Sequence, residues 1–313
     1  MILTSDLSFD YELLTPQVHE NMAIIPIKTT PNYKLDIITL KKALELGLGE
    51  IKECEQSTVN TLIVKNDAVT PLILIDGEEV VGGDQNRLVN STILVAPKSE
   101  MKIPVSCTER GRWDYKNEFK NSDYIANYET RRAKMSASRL NMPVQNAVWG
   151  SIDSLEVLNE FSSPTSAMAE SYENLKIDHN EFINAFSIED NQNGVVIIIN
   201  GEIKGFELLL TSEIYKEFHE KILKSYLIDA KNENATFTIN IDEIKSVLEN
   251  AISSDFEKKE SEGLEDAYEF ENESGFGKLY SYKNEIIHWS YFKQIEENNF
   301  NQPEEDVELV SDI

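Results

Sequence analysis

The first 120 residues carry short apolar runs and loose alternation that predict β-strands. Met22–Ile27 reads MAIIPI and is suited to a buried strand, and Thr92–Ala96 has the same character. The run Leu72–Ile75 leads into Asp76-Gly77, a dipeptide that favours a tight hairpin turn because both positions accept a positive φ. Over residues 1–120 this pattern predicts antiparallel strands packed as a sandwich or a barrel-like structure.

Strand alternation ends near residue 121, and residues 121–190 are predicted to form a helical insert. Asp123 is suited to cap a helix that carries Tyr128 and Arg131. Met142-Pro143 predicts the end of that helix, because the residue before a proline avoids helical backbone angles. The insert is polar enough to lie over a binding site.

Residues 191–295 return to a mixture of helices and strands. Asn200-Gly201 follows the apolar run Val195–Ile199 and predicts a second hairpin. Thr211 or Ser212 is suited to cap the next helix, and apolar residues at helical spacing predict another. The predicted fold is α+β: a β-rich antiparallel N-terminal part, a helical insert, and an α/β C-terminal part with antiparallel strands, packed on the first part.

Charge is distributed unevenly along the chain. The sequence holds 29 Lys/Arg and 56 Asp/Glu, a net charge of −27, which disfavours nucleic acids and anionic membranes as partners. Residues 87–139 hold 11 basic and 6 acidic residues, a net of +5, whereas residues 296–313 hold seven acids and no base and predict a mobile tail. The basic segment is either an anion-binding region or an ordinary fluctuation of surface charge.

Several classes of protein and site are disfavoured. The chain has no apolar run of the roughly 18 residues that a membrane span needs and no secretory leader, and it has two cysteines, so we expect a cytoplasmic protein without disulfides. The four histidines are isolated, and there is no HxxxH or CxxC spacing, so no metal site is predicted. Serine-hydrolase and phosphate-loop motifs are missing as well, and no cofactor is predicted.

Planar amide and guanidinium groups occur at the predicted turns of Pro71–Trp113. Arginine binds phosphate or carboxylate through paired hydrogen bonds, amides donate and accept, and tryptophan stacks on planar rings. Alternatively, the same groups cap loops or pair with Glu109 and Asp84. The predicted ligand-binding residues are Gly83, Gln85, Asn86, Arg87, Asn90, Arg110, Arg112 and Trp113.

Three residues are candidates for catalysis, although the sequence leaves open whether the protein is an enzyme. Cys107 lies close to Arg110 and Arg112, whose charge favours a thiolate. No histidine is nearby in sequence, and cysteine is among the most often buried residues, so a structural role is favoured. Glu78 and Glu109 are candidate general acids or bases, but neighbouring carboxylates in an acidic protein usually lie on a solvated face.

Two segments carry a resemblance to a known family. DGEEVVGGDQNRLVNSTILVAP, followed by IPVSCTERGRW, resembles a bacterial domain family of unknown activity that is named for its association with ADP-ribosylglycohydrolases and rhodanese-phosphatases. A weaker similarity extends to GKLYSYKNEIIHWSYF near the C-terminus. The resemblance implies a role near NAD use or ADP-ribose turnover and supplies no mechanism.

Two functional classes remain. In the first, the protein binds or processes a small anionic nucleotide such as ADP-ribose, at a site built from Pro71–Trp113 and covered by the helical insert. In the second, it is a non-enzymatic interaction module whose acidic surface meets a basic protein partner. Free nucleotide binds in the first class and not in the second.

Overall fold

Strands come first along the chain, helices dominate its middle, and both alternate towards its end. The computed structural model describes residues 10–30, 34–55, 58–174, 179–228 and 237–294, so the predicted tail at 296–313 lies outside the described residues. The strands are β1 (Tyr11–Leu13), β2 (Gln17–His19), β3 (Met22–Thr29), β4 (Ile38–Thr39), β5 (Gly49–Glu53), β6 (Thr61–Asn66), β7 (Leu72–Leu74), β8 (Glu78–Val81), β9 (Arg87–Val89), β10 (Ile93–Val95), β11 (Ser99–Cys107), β12 (Lys120–Ile125), β13 (Gly194–Ile199), β14 (Glu202–Leu209), β15 (Glu257–Lys259), β16 (Asp266–Asn272), β17 (Gly275–Tyr282) and β18 (Glu285–Lys293). The helices are α1 (Leu40–Glu45), α2 (Tyr128–Arg139), α3 (Val144–Asn159), α4 (Met168–Glu173), α5 (His179–Asn184), α6 (Ser212–Leu227) and α7 (Ile241–Ile252).

The largest sheet joins strands from both ends of the chain. Its order is β1-β3-β13-β14-β18-β17-β16-β15, with β2 also paired to β3, and all its pairs are antiparallel. The predicted hairpin between β13 and β14 is confirmed, since Asn200 and Gly201 both have positive φ, 53° and 81°. The N-terminal strand β3 lies directly beside β13, so the two ends of the chain share one sheet.

Helices cover both faces of this sheet, which explains the uninterrupted apolar run of β13. Successive strand residues face opposite sides. Ile197 packs with Phe218 of α6 on one side, and its neighbour Val196 packs with Leu248 of α7 on the other. The side chain of Thr211 accepts a hydrogen bond from the third residue of α6, which confirms the predicted cap.

Two smaller sheets form the rest of the β structure. One has the order β12-β8-β9-β11-β6-β5, and the other has β10-β7-β4 with a parallel β4–β7 pair. Asp76-Gly77 forms the predicted turn, with φ of 86° at Gly77, but the prediction of a hairpin there was wrong. Strand β7 pairs with β4 and β10, whereas β8 pairs with β9 and β12, so the turn carries the chain from one sheet into another.

The helical region begins later than the sequence predicts. Helix α2 starts after Asn127, and the prediction that Asp123 caps it was wrong, because residues 120–125 form β12 and pair with β8. Burial explains the difference: Ile125 is 2% exposed, and the Ser122 hydroxyl donates to Glu79 at 3.1 Å. Pairing with a neighbouring strand has overridden a local capping signal. The predicted end is confirmed, since α2 stops at Arg139.

Two ion pairs are buried where α2 meets the turn at Gly77 and the large sheet. Arg131 donates to Glu207 at 2.5 Å, Lys134 donates to Asp76, and each of the four side chains is 3% exposed or less. A Cβ atom at Gly77 would lie 2.9 Å from the Arg131 side chain, so glycine allows the turn to approach the helix this closely. The pairs tie elements from separate parts of the sequence together.

His288 completes this buried group. Its Nδ1 lies 2.6 Å from the Thr92 hydroxyl, and its Nε2 lies 3.1 Å from Glu207. The Thr92 oxygen already accepts a hydrogen bond from the backbone N–H of Asp76 at 3.0 Å. Both ring nitrogens of His288 are therefore in contact with polar groups, and Thr92 connects the ring to the backbone of the turn at Asp76.

The first prediction concerns the Arg131–Glu207 pair. Arg131→Met should lower the free energy of unfolding by about 3–5 kcal/mol, because it leaves a buried carboxylate without its partner. The double variant with Glu207→Gln should lose less than the sum of the two single changes, since it leaves no unpaired charge. Urea denaturation measures both.

An exposed pair provides the control for that measurement. Lys28 and Glu12 lie 3.1 Å apart with side chains 37% and 61% exposed, and Lys28→Met should change stability by less than about 1 kcal/mol. Equal costs for the buried and exposed substitutions would contradict a structural role for the buried pair.

Candidate functional site

The 108–119 loop, which connects β11 to β12, carries the three predicted ligand-binding residues that follow Asn90. Arg112 fixes its course: Nη1 donates to the carbonyls of Gly83 and Asp114, both at 2.7 Å, and Nη2 donates to Gly82 at 3.1 Å. A guanidinium offers five N–H donors in one plane, so a single side chain holds several main-chain segments together. Arg112 is a predicted ligand-binding residue, but these hydrogen bonds are made to the protein itself.

Gly83 allows the loop to approach closely. Its φ is 51°, and a Cβ atom there would lie 2.2 Å from the ring of Phe119, so no other residue fits without a shift of the loop. Main-chain hydrogen bonds run in both directions, from Gly83 to Asn117 at 2.8 Å and from Lys116 to Gly83 at 3.1 Å. The loop therefore has a defined path.

The predicted amide side chains also face the protein. Gln85 donates to the carbonyl of Glu109 at 3.0 Å, and the Asn86 side-chain oxygen accepts from Gly82 at 3.1 Å. Asn90 accepts from the hydroxyl of Ser106 at 2.8 Å. These contacts match the alternative that the amides brace turns.

Arg87 lies beneath this arrangement and is 1% exposed. Its Nη1 donates to the side chain of Gln85 at 3.1 Å and to the carbonyl of Asn86 at 3.3 Å. Its Nη2 lies 3.7 Å from the carboxylate of Glu53, which comes from β5. Glu53 has no motif in the sequence around it, and it is brought here by the pairing of β5 with β6 and of β6 with β11.

Arg110 points towards helix α3. Its Nη2 donates to both oxygens of Asp153, at 3.0 and 3.1 Å, and its guanidinium lies 5.0 Å from the ring of Trp149. Its side chain is 41% exposed and that of Asp153 is 54% exposed. The three predicted arginines thus contact three different sets of protein groups.

Trp113 and Tyr115 project from this anchored loop into solvent, each 64% exposed. Among the large hydrophobic side chains exposed on residues 10–30, 34–55, 58–174, 179–228 and 237–294, these two are the aromatic ones. Trp113 is a predicted ligand-binding residue. Tyr115 was missed, although its position two residues after Trp113 in a polar segment was a usable signal.

Two of the catalytic candidates, Cys107 and Glu109, are buried in the protein. Cys107 is fully buried, and burial raises the pKa of its thiol, which disfavours the reactive thiolate. Burial alone would raise the pKa of Glu109, but the hydrogen bond and charge of Arg112, 2.7 Å away, outweigh it and hold that pKa below its usual range. Glu109 is therefore ionised at neutral pH.

Glu78 and Glu79 are both buried, so the expectation that neighbouring carboxylates lie on a solvated face was wrong for them. Burial raises the pKa of Glu78, whose carboxylate accepts from Asn121 at 2.6 Å. Burial raises the pKa of Glu79 to about 7, while the hydroxyls of Thr108 and Ser122 donate to its two oxygens at 2.8 and 3.1 Å. Successive strand residues point to opposite faces, so the carboxyl groups of Glu78 and Glu79 lie in different environments.

No group of three or more His, Cys, Asp or Glu residues suited to a metal ion occurs among the described residues. No helix in the same part of the chain is long and apolar enough to cross a membrane.

Comparison with known protein families matches most of the chain to one family. A family model described as ARPP-1, the ARG and Rhodanese-Phosphatase-superfamily-associated Protein domain, matches residues 10–292. The chain belongs to this family. The match includes both the Pro71–Trp113 region and the C-terminal strands, which confirms the resemblance seen in the sequence. No curated protein and no solved structure matches the chain.

Membership of the ARPP-1 family gives an ADP-ribose-related context through the association with ADP-ribosylglycohydrolases. The residues that carry the resemblance divide into two groups by exposure. Gly83, Gln85, Arg87 and Cys107 are buried and support the fold around the loop, whereas Trp113 is exposed. The residues that carry the resemblance therefore comprise a buried set that supports the loop and one exposed aromatic side chain, Trp113.

The second prediction concerns the anchoring role of Arg112. Arg112→Ala should lower the free energy of unfolding by about 1–3 kcal/mol, because it removes the hydrogen bonds to the part-buried carbonyls of Gly82 and Gly83 and the ion pair with Glu109. Amide hydrogen exchange in the 108–119 loop should accelerate more than elsewhere. Arg132→Ala is the control, since Arg132 pairs on a helix surface with Glu129 at 3.0 Å. Unchanged exchange in the loop of the Arg112 variant would contradict the assignment.

The third prediction concerns Glu79 and pH. Its pKa in the folded protein is about 7, above the value of 4.5 for a solvated glutamate, so the folded state holds the proton more tightly. Its contribution to stability is fully present below about pH 4.5 and is lost as the pH rises through 7. Glu79→Gln keeps the shape and removes the titration, so its stability should fall less than that of the wild type between pH 5 and 7.5.

Urea denaturation at several pH values checks this prediction, with an upper limit of about 1.4 kcal/mol per pH unit for one group. Glu100→Gln at an exposed position of β11 is the control. Parallel pH profiles for wild type and Glu79→Gln would refute the assigned titration.

Proposed function

We propose that this protein binds a small anionic nucleotide-type ligand, such as ADP-ribose, on the outer surface of the 108–119 loop. The observation that carries the proposal is the exposure of Trp113 and Tyr115 on a loop that Arg112 anchors. Stacking of a base on an aromatic side chain contributes about 1–3 kcal/mol. A loop that is already fixed loses little conformational entropy when a ligand binds, so more of this energy appears as affinity.

Two cationic residues lie close to Trp113 and Tyr115 in the sequence. Lys116 is exposed on the loop, and Arg110 is partly exposed at its start. The Arg110–Asp153 pair is open to water, and such a pair contributes at most about 1 kcal/mol, so exchanging Asp153 for a phosphate costs little. A guanidinium binds phosphate through two parallel hydrogen bonds, which suits the diphosphate of an ADP-ribose-like molecule.

In this proposal the role of Arg87, Arg112 and the amide side chains is to support the loop and not to contact the ligand. Arg112 holds the loop against Gly82 and Gly83, and Arg87 donates to Gln85 and Asn86 in the adjoining segment. The family context of ADP-ribosylglycohydrolases supports the choice of ligand class. Within the proposal the protein acts as a binding module, and a chemical step is left open.

Both Cys54 and Cys107 are unpaired thiols, which supports placing the protein in a reducing compartment such as the cytoplasm.

The fourth prediction is a binding experiment. Calorimetry should detect ADP-ribose binding by the wild type. Trp113→Ala should weaken it by roughly tenfold to a hundredfold, since that substitution removes a stacking surface. Tyr115→Ala and Arg110→Ala should each weaken it less, and added salt should weaken the Arg110 contribution in particular.

Matched controls come from exposed residues away from the loop. Leu158 is 71% exposed on α3, and Arg132 pairs with Glu129 on α2, so Leu158→Ala and Arg132→Ala should bind as the wild type does. Wild-type protein that binds no nucleotide would favour the alternative, an acidic module for a basic protein partner. Binding that survives the Trp113 and Tyr115 substitutions unchanged would place the ligand elsewhere.

A further inference from the structure

One buried carboxyl group contacts both ends of the 108–119 loop. Thr108, the first residue of the loop, donates its hydroxyl proton to one oxygen of Glu79 at 2.8 Å. Ser122, which follows the loop on β12, donates to the other oxygen at 3.1 Å. Glu79 is fully buried, so its side chain holds the two hydroxyls together inside the protein. The base of the loop that carries Trp113 is therefore closed by Glu79.

The side of β8 that carries Glu79 is packed with apolar groups. Leu88 lies directly opposite Glu79 on β9 and so shares its face of the sheet. Leu88 in turn belongs to a buried cluster with Val148 and Ile152 of α3 and Met168 of α4. Burial in these surroundings is the main reason that the pKa of Glu79 is raised, to about 7.

The titratable groups that face Glu79 do not offset this burial. They are Glu109 on the loop, Glu173 on α4 and Tyr124 on β12, and the two glutamates oppose a further negative charge. Lys224 of α6 lies 5.3 Å from the centre of the Tyr124 ring. Among the described residues, no Lys, Arg or His forms an ion pair with Glu79. Hydroxyl groups alone stabilise its charged form.

The two protonation states of Glu79 therefore differ in how well they tolerate a closed loop. The neutral acid suits an apolar site, since its O–H donates to one hydroxyl while its other oxygen accepts from the second. The carboxylate accepts from both hydroxyls, but it is an ion without a counter-charge, and such an ion is costly to bury. Opening the base of the loop admits water to the carboxylate, so ionisation favours opening.

We propose that Glu79 is a pH-sensitive switch for the 108–119 loop: the neutral acid keeps the base of the loop closed, and ionisation loosens it. The switch is a property of the free protein. Its consequence for a ligand rests on the proposed function, since ADP-ribose binds the loop in its closed form. The affinity for ADP-ribose should then fall in proportion to the closed fraction as the pH rises.

The fifth prediction concerns amide hydrogen exchange in the 108–119 loop of the free protein. The pKa of Glu79 is about 7 in the closed protein and 4.5 in water, so the closed loop holds the proton more tightly. The equilibrium constant for opening should rise roughly tenfold between pH 5.5 and 7.5, after correction for the pH dependence of chemical exchange itself. Glu79→Gln is neutral at every pH and keeps a donor and an acceptor, so its loop should stay protected.

Two further variants separate a switch from a purely structural contact. Thr108→Val keeps the shape and removes one donor to the carboxylate, so the midpoint of the pH transition should move to higher pH. A purely structural contact would change protection at all pH values without moving a midpoint. Glu265→Gln is the matched control, because Glu265 is also buried but accepts from Leu94 and Gly263, and it should keep the wild-type profile.

Thermal unfolding establishes that each variant is folded, and the wild-type profile tests the switch even if Glu79→Gln is not. The proposal is overturned if opening of the wild-type loop does not rise between pH 5.5 and 7.5, or if Glu79→Gln shows the same rise. Calorimetry with ADP-ribose at both pH values tests the ligand separately. If the loop responds to pH and ADP-ribose does not bind, the switch stands and the proposed function falls. If ADP-ribose binds and the loop does not respond, the reverse holds.

Discussion

Pairing of charge inside a low-dielectric interior is the constraint on which this structure depends. Arg131 with Glu207 and Lys134 with Asp76 lie where helix α2, the turn at Gly77 and the large sheet meet. Each group alone would be costly to bury, so the elements that carry them are held in one arrangement in which all four are paired. His288 belongs to this group, since its two ring nitrogens contact Thr92 and Glu207. Such a junction specifies geometry more than it adds stability.

The same principle operates on a smaller scale beside the candidate site. Arg112 satisfies main-chain carbonyls of Gly82, Gly83 and Asp114 and is itself neutralised by Glu109. This one side chain replaces the regular hydrogen bonds that a loop lacks, and it turns an irregular segment into a fixed platform. Trp113 and Tyr115 project into water from this anchored segment.

Local signals in the sequence were sufficient for much of the fold. Asn200-Gly201 forms a turn and Thr211 caps a helix as predicted, because turns and caps depend on residues that are adjacent in the sequence. The role of Asp76-Gly77 was harder to predict, since the turn is local but the pairing of the strands on either side is not. Glu53 joins the site through strand pairing alone, and Glu78 and Glu79 are buried against sequence expectation. Long-range pairing determines these environments, and one sequence does not encode it in a readable pattern.

The residues of the family motif are continuous in the sequence, but the structure divides them into buried residues such as Arg87 and an exposed one, Trp113. A buried guanidinium such as Arg87 is held in place by the fold, and removing it damages the fold before it affects any ligand. An exposed tryptophan contributes little to folding, because most of its apolar surface stays in water in both the folded and the unfolded states. In the proposed function, the apolar surface of Trp113 is buried when the ligand covers it. The net charge of +5 over residues 87–139, in a chain that is otherwise strongly acidic, supports the proposal that the ligand is anionic.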